Sequence, residues 1–456
     1  MRSDDNAHRV QRALSPIEEG LLFHYFYEAD GAYVDQMVCD LVGPVDVPLF
    51  QEAIQRLVSL HESLRTCYFR GPGVETRCGV RESSATPISV VDLSAEGDPR
   101  ALVSQRITAD AEARLDLSKQ VSRCALYRLE ERLYVFAWTY HHAVADSWTL
   151  RLLQEQFCDV YRALLDGTPD GAKASPYSAY ADWIASQDRN ATLSWWAAFL
   201  KRLTPRKATE PTSPAMPGDV AGLHVTLPAE VRDAVESVRR RHKVTRNVVL
   251  LAAWGVLALD QQKTRDCLLG CVVHGRSIPV RGIENVAGVC ANTVPVVITD
   301  SMLLGDLFAE LQRHVFAASA RSYLAVSDVL ATAGLGRRDL HSVVNFTIDE
   351  PTVRNKNADH LPFEITNIGY SQAANFDAYL DVEADATGIA LTIHFDRKRR
   401  HFADAAVARK CEQIMRYFAS HSEATVRDAL DVLLMDASDY DVAFAFDAPA
   451  GERSRL

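Results

Sequence analysis

One stretch constrains this chain more than any other. Residues 133–140 (LYVFAWTY) run directly into His141, His142 and, after three small apolar residues, Asp146, Ser147 and Trp148. The first segment is dense in aromatic and apolar residues and predicts a buried strand. Residues 148–165 predict a helix that ends before Gly167. A buried strand that passes into a long helix through a short turn requires layers, with helix packed on sheet. Side chains alternate along a strand, so His142 is expected on the face of Tyr134, Phe136, Trp138 and Tyr140, with His141 on the opposite face. Asp146 stands just before the helix, where free amides and the helix dipole favour a carboxylate. Two readings follow from the residue types. A histidine near its unperturbed pKa of about 6.5 moves protons at neutral pH. A packed histidine pair beside a helix-capping aspartate uses the same residues without chemistry, and residue types alone leave both open.

The rest of the chain repeats this alternation. Residues 16–26 predict a helix with Ser15 as its N-cap and Pro16 at the first helical position. Residues 46–60 predict a second, with Phe50, Ile54, Leu57 and Val58 on one face. Residues 201–222 hold Pro205, Pro211, Pro214 and Pro217 among small and polar side chains, which predicts a linker. It separates an N-terminal lobe (1–200) from a C-terminal lobe (223–456). In the second half, 223–227, 343–348, 379–383 and 389–395 predict strands. Residues 229–242, 245–260 and 403–419 predict helices. The expectation is a two-lobed α/β protein.

Composition narrows the function. The chain has 456 residues, 49 Lys plus Arg against 60 Asp plus Glu, and a net charge of −11. That balance argues against nucleic-acid binding, which needs a basic footprint. The longest apolar run, 248–259, is short of the roughly 20 residues that span a bilayer. The nine cysteines are odd in number and scattered without a CxxC pair, a pattern of reduced thiols rather than disulfides or a zinc site. The polar start lacks the apolar core of a secretory signal, so a cytoplasmic location is expected.

The spacing HHxxxD, followed by a small residue and Trp148, resembles the HHxxxDG motif of nonribosomal peptide synthetase condensation domains, in the chloramphenicol-acetyltransferase-like superfamily. Further segments carry the resemblance in the same order: 14–24 (LSPIEEGLLFH), 61–68 (HESLRTCY, similar to HExLRTxF with Tyr68 for Phe), 177–183 (YSAYADW) with Trp195 and Trp196, 273–276 (VHGR) and 283–295 (IENVAGVCANTVP). The resemblance implies two acetyltransferase-like lobes forming a V around a central tunnel, with a loop near 283–295 crossing between them. With no adenylation domain or LGGxS-type carrier motif visible and a start at Met1, the expectation is a free-standing condensation enzyme that meets a peptidyl or acyl carrier protein in trans. The donor would arrive as a phosphopantetheine thioester and the acceptor as a small molecule or a carrier-bound group, with no resident cofactor or metal. The family pattern carries over His142 as the catalytic residue. His141, Asp146, Ser147 and Arg65 support the motif, with Asp146 expected to pair with Arg65, and Tyr140, Trp148 and Asn292 are implied along the tunnel. Among the departures, Ser147 replaces the motif glycine and Leu60 replaces an arginine. Residues 321–328 match the family's later HQDxPFE segment poorly. Two basic runs, 239–243 and 397–401, are either docking sites for an acidic carrier or solvated faces. The alternatives are an inactive recruitment module and a CoA-dependent acyltransferase.

Overall fold

The computed structural model describes residues 9–27, 33–70, 75–84, 86–203, 220–347, 360–371, 378–384, 388–396 and 406–435. Most of the linker expected at 201–222, the basic run 397–401 and the first residues of the helix expected at 403–419 lie outside them.

Two sheets organise the molecule. The first has five strands in the order Glu364–Ser371, Val34–Val42, Leu133–His141, Ser122–Glu130 and Ile88–Asp92. Its central strand, Leu133–His141, is buried at every position after Leu133. That explains its nearly continuous apolar sequence, since both of its faces are covered. Helices Val47–Leu60 and Ser147–Asp166 cover one face, with the Phe50 ring 5.1 Å from Phe136 and 5.0 Å from Phe157. Helix Pro99–Glu112 covers the other, setting Val103 against Val135 and Ala137. A three-stranded sheet, Arg9–Arg12, Thr76–Arg81 and Thr66–Arg70, flanks this unit.

The second sheet has six strands in the order Asn292–Thr299, Asp266–Val273, Val343–Thr347, Ala378–Ala384, Ile389–Asp396 and Val220–Thr226. Helices Ala229–His242, Arg246–Gln262, Leu304–Ser319 and Ala406–Ser420 share its core. Helix Arg246–Gln262 is buried from Val248 through Asp260, as its apolar circumference requires.

Local signals placed the helix ends. Ser15 Oγ accepts the Glu18 amide at 3.2 Å while Glu18 Oε2 accepts the Ser15 amide at 2.9 Å, a reciprocal capping box. Asp46 accepts the Leu49 amide at 3.0 Å, and Gly167, at φ +64, closes helix Ser147–Asp166. All nine cysteines are buried free thiols. In the first basic run Arg239 pairs with Glu236 at 2.7 Å and Arg241 donates to the Ala419 carbonyl at 2.9 Å.

The two halves exchange elements, which corrects the expected boundary at residue 200. Helix Arg189–Leu200 precedes that boundary, yet Trp196 and Leu200 are buried in the second core. Strand Glu364–Ser371 comes from the second half, yet pairs antiparallel with Val34–Val42 at the edge of the first sheet. Sequence patterning missed this strand because Asn367 and Gly369 interrupt its alternation. Asn367 is left-handed (φ +52), the register shifts between Thr366 and Gly369, and Asn367 Nδ2 donates to Asp40 Oδ2 at 2.9 Å.

Candidate active site

The central strand of the first sheet ends at His141, opposite Val34. The chain then leaves the sheet through a short 3-10 turn, His142–Val144, before Asp146 caps the long helix. The expected alternation therefore stops one residue early: His142 belongs to the turn and owes its direction to that turn. Its amide donates to the Tyr33 carbonyl at 2.8 Å. Tyr33 holds φ +69, a strained conformation for a residue with a bulky side chain.

The two histidines have opposite environments. His141 is fully buried, with its ring edge-on to Tyr25 at 4.7 Å. Its Nδ1 accepts the Ala143 amide at 3.1 Å, so the proton of the neutral ring sits on Nε2. Burial, reinforced by His142, pushes its pKa down to about 3. The His142 side chain is 28 % exposed, and its Nδ1 lies 2.6 Å from Oδ2 of Asp35, which is 2 % exposed. Burial works against a charge on His142, but the Asp35 carboxylate outweighs it and raises the pKa above its ordinary value.

Asp146 has a different set of partners. Arg276 Nη1 donates to Oδ2 at 2.8 Å and Nη2 to Oδ1 at 3.2 Å, a bidentate fork. The same carboxylate accepts the amides of Thr149 at 2.9 Å, Cys290 at 3.0 Å and Ala291 at 2.9 Å. Burial opposes its ionisation, yet Arg276 and these amides pull its pKa down to about 2. Arg276 Nη2 also donates to the carbonyls of Val286 at 3.1 Å and Gly288 at 3.0 Å. The pair thus fastens segment 274–291 to the start of helix Ser147–Asp166. The close approach needs glycine: a Cβ on Gly275 would lie 1.8 Å from the Cys290 carbonyl oxygen, and one on Gly288 2.1 Å from the Tyr177 ring.

The partner of Asp146 is therefore Arg276 and not Arg65. The Arg65 guanidinium donates to the carbonyls of Arg81 and Glu82, stapling the 3-10 turn Ser63–Arg65 to the neighbouring strand. Tyr140 is also displaced from its expected place. It is 1 % exposed and packs against Trp138 within the first core, so it does not line open space. Trp148 is half-buried, donates its indole N–H to the Glu284 carbonyl at 3.1 Å and lies tilted against the His274 ring at 5.5 Å. The Asn292 amide donates to the carbonyls of Ser322 at 2.5 Å and Leu324 at 2.6 Å, which commits it to a turn. Ser147 is exposed as the first residue of its helix and has no positive φ, so the hydroxymethyl group that replaces the motif glycine meets no steric penalty there.

Sequence reasoning missed two residues of this site. Arg276 lay inside a recognised segment, but nothing local assigned it to Asp146. Asp35 left a fainter signal, a carboxylate in a run otherwise suited to a buried strand, VDQMVCDLV. Such a group requires a partner.

A family model described as Condensation domain matches residues 9–438. Bacitracin synthase 3 of Bacillus licheniformis is 26 % identical over 383 residues, covering 82 % of this chain and 6 % of the synthase. Surfactin synthase subunit 2 of Bacillus subtilis (strain 168) is 24 % identical over 416 residues, covering 89 % of this chain and 12 % of that subunit. The chain thus spans a small part of these relatives. Among solved structures, the condensation domain from monacolin K polyketide synthase aligns at a TM-score of 0.74 with 15 % identity, covering 92 % of this chain and 100 % of that one. The first condensation domain of the calcium-dependent antibiotic synthetase, in complex with a substrate analogue, aligns at 0.73 with 17 % identity, covering 92 % and 98 %. No helix among the described residues is long and apolar enough to cross a membrane.

Proposed function

The chain belongs to the condensation-domain family, and on that premise we propose that it transfers an acyl or aminoacyl group from a carrier-protein phosphopantetheine thioester to an amine or hydroxyl acceptor. The family's fold is the two-lobed, chloramphenicol-acetyltransferase-like one, and its members are acyltransferase-type enzymes that form amide or ester bonds. The observation that carries the reading for this chain is His142. It is the partly exposed member of the motif, and its Nδ1 is engaged by Asp35 at 2.6 Å, leaving Nε2 as the ring nitrogen available to a substrate.

In this reading the acceptor nitrogen or oxygen attacks the thioester carbonyl. Its proton passes to His142 Nε2, and a tetrahedral oxyanion forms. The oxyanion collapses, the C–S bond breaks, and the proton reaches the departing thiolate sulfur. No acyl-enzyme is needed. His142 acts by removing a proton and by aligning the nucleophile. Asp146, with all its lone pairs engaged, holds segment 274–291 in place and takes no part in proton transfer.

The test is a mass-spectrometric transfer assay. Carrier protein loaded with aminoacyl groups is offered pooled amines and alcohols, both free and carrier-bound, with wild type run beside His142→Ala. Product from wild type, reduced about 10²–10⁴-fold in the variant, supports the reading and identifies the bond formed. Equal product from both proteins removes His142 from the chemistry. Carrier binding without product from any pair replaces transfer with recruitment.

A further inference from the structure

We propose that Asp35, which lies outside the family motif, is the positioning residue that makes His142 a base. Its carboxylate holds Nδ1–H, so that in the neutral ring Nε2 is the unprotonated nitrogen, the one that accepts the acceptor's proton. This rests on the transfer reading above and adds to it the choice between proton removal and simple alignment.

Three observations lead here. The first is geometric. Asp35 lies on strand Val34–Val42 opposite Tyr140, is 2 % exposed, and places Oδ2 2.6 Å from His142 Nδ1. Among the described residues, no other hydrogen bond reaches its carboxylate. A buried carboxylate with a single partner depends on that partner's proton. The pair is therefore stable with Nδ1 protonated, which fixes the ring tautomer.

The second is the fit of the backbone. Left-handed Tyr33 turns its carbonyl onto the His142 amide at 2.8 Å, and its ring lies near parallel to the imidazole at 6.4 Å. Asp35 follows two residues later on the same strand. One short segment thus holds the histidine by its main chain, its ring face and its Nδ1.

The third is elimination within the site. The obvious carboxylate for a motif histidine is Asp146, but Arg276, Thr149, Cys290 and Ala291 occupy both of its oxygens. It adds a distant negative field and cannot orient the ring. The charges that act on His142 are Asp35 from its strand and Asp146 from the helix start; the preceding His141 is kept neutral by burial, and Tyr33 lies beside the ring. The Asp35 charge is also felt by Tyr140 and, from the second sheet, by Tyr379. Both hydroxyls are held protonated by burial, which leaves Asp35 as the anion in contact with the ring.

During transfer the acceptor's N–H or O–H proton moves to Nε2, giving an imidazolium whose Nδ1–H still points at Asp35. The proton then goes to the thiolate as the C–S bond breaks. The Nδ1 proton stays on the ring throughout, as it does on the histidine of a Ser-His-Asp triad.

The test uses wild type and Asp35→Asn, in two independent readouts. The first is the pH dependence of kcat/KM for transfer. In wild type the rate rises with pH through the raised pKa of His142. In Asp35→Asn the rising limb moves to lower pH, and the plateau of kcat falls about 10²-fold while KM for the loaded carrier stays within about threefold. A merely structural role lowers the plateau without moving the limb. The second readout is the ring ¹⁵N spectrum of labelled protein, with His142 assigned by its loss in His142→Ala. Wild type is expected to show protonated Nδ1 and unprotonated Nε2 in the neutral ring, and a titration that shifts downward in Asp35→Asn. This readout needs no substrate, so it decides the proposal even if wild type transfers nothing, and the wild-type tautomer decides it even if the variant fails to fold. A wild-type ring protonated on Nε2, or an Asp35→Asn titration and pH limb unchanged from wild type, overturns it.

Discussion

The turn between the central strand and the long helix carries two charge pairs of opposite design. Asp146–Arg276 is sealed, with both side chains 2 % exposed and every carboxylate oxygen multiply bonded. His142–Asp35 has a buried acid and a 28 % exposed base. A few residues apart, one pair is built so that no proton can move and the other so that one can. The difference lies in donor count and exposure. A carboxylate that receives a guanidinium fork and three amides stays ionised, and it locks whatever donates to it. A carboxylate that receives one imidazole N–H tunes that ring and leaves its second nitrogen free.

The sealed pair is the place to break this comparison most severely. Arg276→Ala leaves Asp146 buried without its counter-charge and releases the carbonyls of Val286 and Gly288. The expected loss is about 3–5 kcal/mol in denaturant unfolding. A loss below about 1 kcal/mol would mean that the pair is not the anchor of segment 274–291.

Acid stability sharpens the comparison next, because the adjacent histidines act with opposite sign. The folded pKa of His141 is depressed to about 3, against about 6.5 unfolded. Its contribution is complete above the unfolded value and is lost as pH falls toward 3, on the order of 5 kcal/mol at most. The folded pKa of His142 is raised, so its contribution is complete below about 6.5 and is lost as pH rises through the folded value. Asp146, depressed to about 2, adds a separate loss below about pH 4. Denaturant unfolding of wild type and His141→Asn between pH 7 and 4 isolates the His141 window. The variant is expected to lose less stability across that range, and parallel curves would count against a buried neutral His141.

Smaller effects are expected where sequence alone suggested large ones. Arg65→Ala removes bonds to two backbone carbonyls and is expected to cost about 1 kcal/mol, well short of Arg276→Ala in the same measurement. An equal cost would restore Arg65 as a core partner. Ser147→Gly restores the motif residue at an exposed helix start. Its stability is expected to stay within about 0.5 kcal/mol of wild type, and its transfer rate within about threefold. A large gain in rate would show that Ser147 restrains the site.

Much of the fold was legible because its signals were local. Capping at Ser15 and Asp146, the stop at Gly167 and the apolar run of 248–259 each act within a few residues, and each appears where expected. The errors were pairings between distant segments. Asp146 and Arg276 stand 130 positions apart, His142 and Asp35 107. A chain with 49 basic side chains offers many partners to one buried acid. The exchange of helix Arg189–Leu200 and strand Glu364–Ser371 between the two cores has the same origin. Trp196 and Leu200 read as apolar in either lobe, and an edge strand with a bulge has little alternation to detect.

The sequence by itself determined the layered α/β architecture, the placement of His142 and Asp146 around a strand-to-helix turn, and the likeness to one family. Dihedral preference, capping and hydrophobic period are properties of neighbouring residues, so they can be read along the chain. Only the tertiary structure decided which charges meet. It gave Asp146 to Arg276, left Arg65 to a neighbouring strand, and set Asp35 against the histidine. Those choices depend on burial, because a charge taken out of water must find its counterpart within hydrogen-bond distance, and that distance is set by how the sheets and loops pack.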